Sequence, residues 1–353
     1  MNNTLLWKML EGQVIEKKYY LRELLGAGGF GGVFLADDVV RNKLMRQVAI
    51  KLIVADDNNQ AQLNELQASM SLKHPNLISC FDVNECHLNA ADFLYLVMEV
   101  AEFSLEKQLN EGVLSETETL QLVNYIAGAL DYLHNEQNSI AHRDLKPGNI
   151  LRVGDKWKLS DFGLVRAIGK NSVMDTVNLT GTPGYSPPEA YEGKVATSWD
   201  VWSLGVIIVQ VLTGKMPFEG DTPQQLQKQV CNGEPDLSGL PKSFEQMVRG
   251  CLQKNRQKRW SVKQILTEVE YTFSNDSKTT KLSPQTQIFT RIVDSSTLVE
   301  LPINPVNEGE DTSSNHPKPT ESSPQNQEIH PDRWGRAKGF WGWFSSLFDD
   351  NSF

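Results

Sequence analysis

Long apolar runs are missing from this sequence. No stretch of about 18 consecutive apolar residues occurs, so no segment is suited to cross a bilayer as a helix. The opening stretch, MNNTLLWKMLEGQVIEKKYY, lacks a basic end followed by an apolar core and a small-residue cleavage site, and is read as no signal peptide. Cysteine is scarce: four in 353 residues are too few for a disulfide framework. Cys80 and Cys86 lie close together, but no second pair or histidine cluster completes a metal site, so reduced thiols in a cytoplasmic protein are expected. Positive charge is also short. Lys and Arg number 34 against 44 Asp and Glu, a net charge of −10, which excludes a general nucleic-acid binder with a basic surface. Internal repeats are absent.

What is present is uneven. Hydrophobic residues make up 39% of the chain, enough for a packed core in part of it. The composition changes near residue 273. Beyond it come SNDSKTTKLSPQTQ and NEGEDTSSNHPKPTESSPQNQE, rich in Ser, Thr, Pro, Asn and acids, with too little apolar surface to offset the entropy of ordering. Before it, residues 20–98 read mostly as strands with one helix at about 58–72, and from 104 to 271 helices dominate. SETETLQLVNYIAGALDYLH opens with a capping box, Ser115 to Glu118, and Leu120, Val123, Ala127 and Leu130 fall on one face. Thr222 caps a helix with Pro223 at its first position, and Ser243/Gln246 and Ser261/Gln264 repeat the capping-box spacing. The expected fold is α+β and bilobal, with a small β-rich lobe, a larger helical lobe and a ligand crevice between them.

Four stretches carry chemistry. In LGAGGFGGVF, Gly26, Gly28 and Gly31 make G-x-G-x-x-G around Ala27. Such glycines turn a hairpin tightly and bring backbone N–H groups to phosphate oxygens. The same letters mark dinucleotide-binding domains, but those need a helix next, and here the strand VFLADD follows. In VAIK, Ala49 and Lys51 share one side of a strand by the period of two. A lone strand lysine is usually a solvated edge. A cation in a cleft instead needs a partner, and Glu65 on the next helix is the candidate. In AHRDLKPGNIL, Asp144 can take a proton from an attacking hydroxyl, Lys146 can neutralise a transferring phosphoryl group, and Asn149 offers a neutral oxygen to a hard cation. A second acid, Asp161 in LSDFG, completes an oxygen set that suits Mg²⁺ with phosphate oxygens.

With PPE at 187–189 and DVWSLG at 200–205 following in order, the sequence resembles the protein-kinase family over 20–271. The LKP and GTPGYSPPE forms resemble its serine/threonine-specific branch, and the simple layout resembles the bacterial, eukaryotic-like members. The resemblance implies an ATP-dependent protein kinase using Mg²⁺, with protein serines and threonines as substrates. Lys51 then binds the α- and β-phosphates and pairs with Glu65. Asp144 is the catalytic base, Lys146 touches the γ-phosphate, and Thr182 orients both. Asn149 and Asp161 hold the metals. Val33, Ala49 and Leu151 sandwich the adenine, Met98 is the gatekeeper, and the backbone of Glu99 and Ala101 meets the adenine edge. Glu189 pairs with Arg259, Asp200 braces the catalytic loop, and His142 and Phe162 are packing elements. The alternatives are a pseudokinase scaffold and a small-molecule kinase; the intact Lys51, Asp144, Asn149 and Asp161 count against the first, and GTPGYSPPE, which shapes a peptide groove, against the second.

Some positions depart from the family. Ser69 stands where a bulky apolar residue is usual, with Met70 next, and Gly148 stands where many kinases directed at basic sequences carry an acid. Asn178 occupies the position most often phosphorylated, so autophosphorylation is expected at Thr176 or Thr180, with Ser172 also in the loop and Arg143 available to hold the phosphate. The chain therefore divides into an N-terminal extension (1–19), a kinase domain (N-lobe 20–98, hinge and C-lobe 99–271), a disordered linker (272–332) and an aromatic segment (333–353). That last segment, with Trp334, Trp341 and Trp343 among Arg333, Arg336 and Lys338, suits docking to a membrane surface or a protein groove.

Overall fold

The run RQVAIKLIV builds the strand around which the N-terminal lobe is assembled. In the computed structural model, which describes residues 3–28, 31–55, 63, 66–67, 70–136, 139–161, 166–167, 174–175 and 182–279, this run lies in β4 (Lys43–Val54). Its neighbours are β1 (Val14–Ile15), β2 (Tyr19–Gly28), β3 (Gly31–Val40), β5 (Cys80–Leu88) and β6 (Ala91–Met98). They form one 6-stranded antiparallel sheet in the order β1-β2-β3-β4-β6-β5. Side chains alternate across it. Val48, Ile50 and Leu52 join Phe34, Phe93, Tyr95 and Val97 on the outer face. Ala49 joins Leu94, Leu96 and Met98 on the inner face, where Val33 and Leu151 pack against the same cluster.

The stretch read as an N-terminal extension contributes to this lobe. A short helix, α1 (Asn3–Lys8), leads into β1, and Trp7, Leu10 and Ile15 are buried in the outer-face cluster. Leu63, Leu66, Gln67 and Met70 are the described helical positions of the expected helix at 58–72. Met70 packs on the inner-face cluster, while Ser69 lies outside the described residues.

The helical lobe holds α2 (Leu105–Glu111), α3 (Glu116–Asn135), α4 (Ser198–Thr213), α5 (Pro223–Asn232), α6 (Lys242–Cys251) and α7 (Val262–Thr279). Leu120, Val123, Ala127 and Leu130 of α3 are all buried in one core with Trp202, Leu204 and Ile208 of α4. Trp202 stacks on Phe218 with ring centres 5.4 Å apart. The helix starts follow their caps. Ser115 and Glu118 make the reciprocal capping box, Thr222 accepts from the Gln225 N–H at 3.2 Å, and the Ser261 N–H donates to the Gln264 side chain at 2.8 Å. Ser243 differs from the sequence reading. Helix α6 begins two residues earlier, with Pro241 at its cap position, so Ser243 lies inside its first turn and donates to the Glu116 carboxylate at 2.6 Å, tying α6 to α3.

Short strands also run within the part of the chain that carries these helices. β9 (Ile150–Val153) and β10 (Lys156–Leu159) form a hairpin that β7 (Phe103–Ser104) extends to 3 strands. β8 (Ile140–Ala141) pairs with β11 (Arg166–Ala167), and β12 (Met174–Asp175) with β13 (Lys194–Val195). Everything described falls within one unit of the chain, Met1–Gln287. Residues 280–353, including the aromatic segment 333–353, lie outside the described residues.

Candidate active site

The β2–β3 hairpin pairs Gly26 with Val33, Ala27 with Gly32, and Gly28 with Gly31. Gly31 has φ +133°, and a Cβ there would sit 2.0 Å from the Leu52 carbonyl oxygen, so no other residue fits. Val33 therefore lies on the inner face of the hairpin, in one apolar cluster with Ala49, Met98 and Leu151 from three other strands. At the edge of that cluster, the Glu99 N–H donates to the Ser79 carbonyl at 3.0 Å, and the Glu99 carboxylate binds Lys158 at 2.7 Å. Among the described residues, the Ala101 N–H and the Glu99 carbonyl take no hydrogen bond.

Lys51 projects from the inner face of β4 and meets the Asp161 carboxylate at 2.5 Å, with only 11% of its side chain exposed. Glu65, expected as its partner, lies outside the described residues, as do Phe162, Ser172, Thr176, Asn178 and Thr180.

Lys146, Asn149 and Thr182 converge on Asp144. Thr182 Oγ1 donates to Asp144 Oδ1 at 3.0 Å, Lys146 Nζ to Oδ2 at 2.8 Å, and Asn149 Nδ2 to the same oxygen at 3.0 Å. Lys146 also donates to Thr182 Oγ1 at 3.1 Å, which closes the group. A carboxylate offers about four lone-pair sites. Three are taken, and one is left for a hydroxyl.

Asp200 of α4 holds this loop from beneath. Its side chain is fully buried, and it accepts the backbone N–H groups of His142 and Arg143, each at 2.9 Å. Arg143 and Asp161 both have positive φ, 71° and 65°, a conformation that costs a non-glycine residue about 1–3 kcal/mol and clusters at functional sites. The two amide bonds from Asp200 fix the first of these turns. His142 Nε2 contacts the Ser160 carbonyl at 2.8 Å and so links the Asp144 loop to the segment between β10 and Asp161. The reading of the sequence missed His134, whose Nε2 meets Asp200 Oδ2 at 2.8 Å. Its only local signal is a polar residue at the end of α3, and 66 positions separate the partners.

Burial alone raises the pKa of Asp200, but the His134 bond and charge, the His142 charge and the Arg143 amide outweigh it and hold the carboxyl below its ordinary value. With the folded pKa below the unfolded value, the stabilisation is fully present above about pH 4 and is lost as pH falls through the folded pKa. Thermal melts of the wild type should therefore drop as the pH falls below about 4, and Asp200→Asn should melt lower at pH 7 with a shallower acid limb.

The segment carrying Thr182 is anchored by Glu189 and Arg259. Their side chains meet bidentately at 2.6 and 2.9 Å, with Arg259 fully buried. Arg259 also donates to the carbonyls of Ser198 and Gln253 and lies over the Trp202 ring.

Magnesium fits the residues present. The Asn149 Nδ2 donates to the Asp144 carbonyl and carboxylate, which leaves the amide oxygen as an acceptor, and Asp161 supplies a carboxylate. Among the described residues no group of three His, Cys, Asp or Glu side chains could hold a metal, so such an ion would complete its shell with phosphate and water oxygens, as Mg²⁺ prefers. The free thiols are poor ligands: burial pushes Cys80 up to about 11 and Cys86 and Cys251 up to about 12.

A family profile described as "Protein kinase domain" matches residues 19–269, most of the chain. The chain belongs to the protein kinase family. It is 30% identical over 304 residues to serine/threonine-protein kinase PrkC of Bacillus subtilis, an alignment covering 78% of this chain and 45% of PrkC. It is 33% identical over 262 residues to serine/threonine-protein kinase PknB of Mycobacterium tuberculosis and 31% over 261 residues to PknB of Mycobacterium leprae, each covering 70% of this chain and 41% of PknB. The chain thus spans less than half the length of the curated relatives it matches. The kinase domain has the expected β-rich lobe followed by a helical lobe. Among its described residues no helix is long and apolar enough to cross a membrane.

Proposed function

We propose that this kinase domain is catalytically active and transfers the γ-phosphoryl group of Mg-ATP to serine and threonine hydroxyls of proteins. The observation that carries the reading is the single open acceptor site of Asp144, walled by Lys146, Asn149 and Thr182. Phosphoryl transfer asks the protein mainly for positioning and charge stabilisation. Val33, Ala49, Met98 and Leu151 form an apolar slot for a flat base, whose edge meets the Glu99 carbonyl and the Ala101 N–H. Lys51 binds phosphate oxygens. Asn149 and Asp161 would hold Mg²⁺, which supplies charge neutralisation at the phosphates. A substrate hydroxyl donates to Asp144; its oxygen bonds to the γ-phosphorus as the bond to the leaving ADP oxygen breaks, and its proton passes to the Asp144 carboxylate. Lys146 turns from Asp144 to the transferring group.

Transfer to a generic protein substrate should be present in the wild type and lost in Lys51→Met and Asp161→Ala. ATP binding by calorimetry with no transfer in the wild type would favour the competing reading, a nucleotide-binding scaffold. Self-labelling belongs to the same proposal: Thr176 or Thr180 is modified, with Arg143 receiving the phosphate, and mass spectrometry finding no phosphate between 164 and 186 after incubation with ATP would remove it. The four free cysteines suit a reducing cytoplasm. The segment 333–353 is proposed as a docking element, and a chain ending at 330 should lose partner or membrane binding.

Substrate preference follows from Gly148. A Cβ on it would lie 3.4 Å from Glu106 Oε2, so an exposed carboxylate from α2 stands where residue 148 lacks one. Peptides with an arginine before the acceptor should be favoured, and Glu106→Gln should cut that preference by roughly three- to tenfold. An unchanged peptide-array profile would contradict this.

A further inference from the structure

The Gly-rich hairpin has a second contact surface, on the face away from the nucleotide slot. Gly32 lies outside the G-x-G-x-x-G pattern, yet a Cβ on it would sit 2.7 Å from the Trp7 ring. Trp7 comes from α1, is 8% exposed, and packs against Phe34 and Phe93 with ring centres 6.5 and 6.0 Å away. The adjacent residue, Val33, points to the opposite face and lines the slot. The other strand of the hairpin is held too: the Glu11 carboxylate accepts the Leu24 N–H at 2.9 Å. Leu24 sits at the register shift just before Gly26, where the β2–β3 ladder is interrupted. The Gly12 N–H donates to the Leu21 carbonyl, and the Leu21 N–H to the Gln13 carbonyl, each at 2.9 Å, fixing the segment between Trp7 and β1.

We propose that residues 7–13 form a clamp on the outer face of the Gly-rich hairpin, and that Trp7 and Glu11 are positioning residues for ATP. The proposal rests on the nucleotide reading of the slot beneath Val33. A hairpin of glycines has little side-chain packing of its own and much backbone freedom. Trp7 covers β3 and Glu11 pins β2, so the hairpin is held ready before nucleotide arrives. Without the clamp, binding must order the hairpin, and that cost appears in ATP affinity rather than in the chemical step. Trp7 sits over Gly32 because glycine leaves no Cβ in its way, which explains a glycine that phosphate binding does not require.

The test is steady-state kinetics with varied ATP on the full chain, alongside hydrogen exchange without nucleotide. Trp7→Ala should raise KM for ATP about tenfold with kcat nearly unchanged, and Trp7→Phe should recover most of the loss. Glu11→Ala, an exposed position that is safe for folding, should raise KM by about threefold. Leu88→Ala removes a buried side chain of the same cluster at the far edge of the sheet and should lower stability without moving KM. Amides of residues 24–28 and 31–34 should exchange faster in Trp7→Ala and Glu11→Ala than in the wild type. Unchanged exchange and KM in Glu11→Ala, or a KM rise in Leu88→Ala equal to that in Trp7→Ala, would overturn the clamp. Faster exchange in a chain whose wild type binds no ATP would keep the clamp and overturn the nucleotide reading instead.

Discussion

Asp144→Asn is expected to lower kcat by about a thousandfold, within the range for loss of a general base, while ATP affinity stays within a few-fold. The substitution suits the geometry. The new amide oxygen can take the place of Oδ2 and accept from Lys146 and Asn149, and the NH₂ can turn to the Thr182 oxygen. Lys146 and Asn149 therefore keep an acceptor, Thr182 turns from donor to acceptor, and the proton acceptor is lost. A melting temperature within a few degrees of wild type should accompany the loss of turnover. If turnover survived with the fold intact, Asp144 would not be the acceptor of the hydroxyl proton.

The second large effect lies at Arg259. Arg259→Ala strands the Glu189 carboxylate in the interior and frees two carbonyls that the guanidinium satisfied. Breaking a buried pair from one side costs about 3–5 kcal/mol, a large part of the stability of an ordinary domain. Urea unfolding should show a loss of that order. Arg259→Lys should recover little of it, because an ammonium cannot make the two parallel bonds to Glu189. Replacing both partners with leucine should cost less than the two single losses added together. Glu189 lies in the same turn region as Thr182, so folded variants should also show weakened peptide binding. A loss below about 1 kcal/mol in Arg259→Ala would mean that the pair is solvated in solution.

Much of this was legible in the sequence because its signals are local. The alternation in RQVAIKLIV placed Ala49 and Lys51 on one face, and the sheet shows the outer and inner clusters dividing along that alternation. HRDLKPGN brought Asp144, Lys146 and Asn149 within one short loop, where they contact one another. What stayed hidden depends on partners distant in sequence. Ser243 has capping-box spacing, but Glu116 of another helix competes for its hydroxyl. Helix α1 has 6 residues, too few to show a periodic face, so nothing local marked Trp7 as core. The positive φ of Arg143 and Asp161 carries no local signal, since neither is a glycine; at Arg143 the backbone N–H is held by Asp200 from a distant helix.

The most direct test of phosphoryl transfer is a single-turnover reaction of the purified full chain with magnesium and γ-labelled ATP, followed by phosphoamino-acid analysis. Label on serine and threonine of a protein substrate or of the chain itself, absent in Asp144→Asn, is the predicted result. A folded wild type that leaves every polypeptide unlabelled would contradict it.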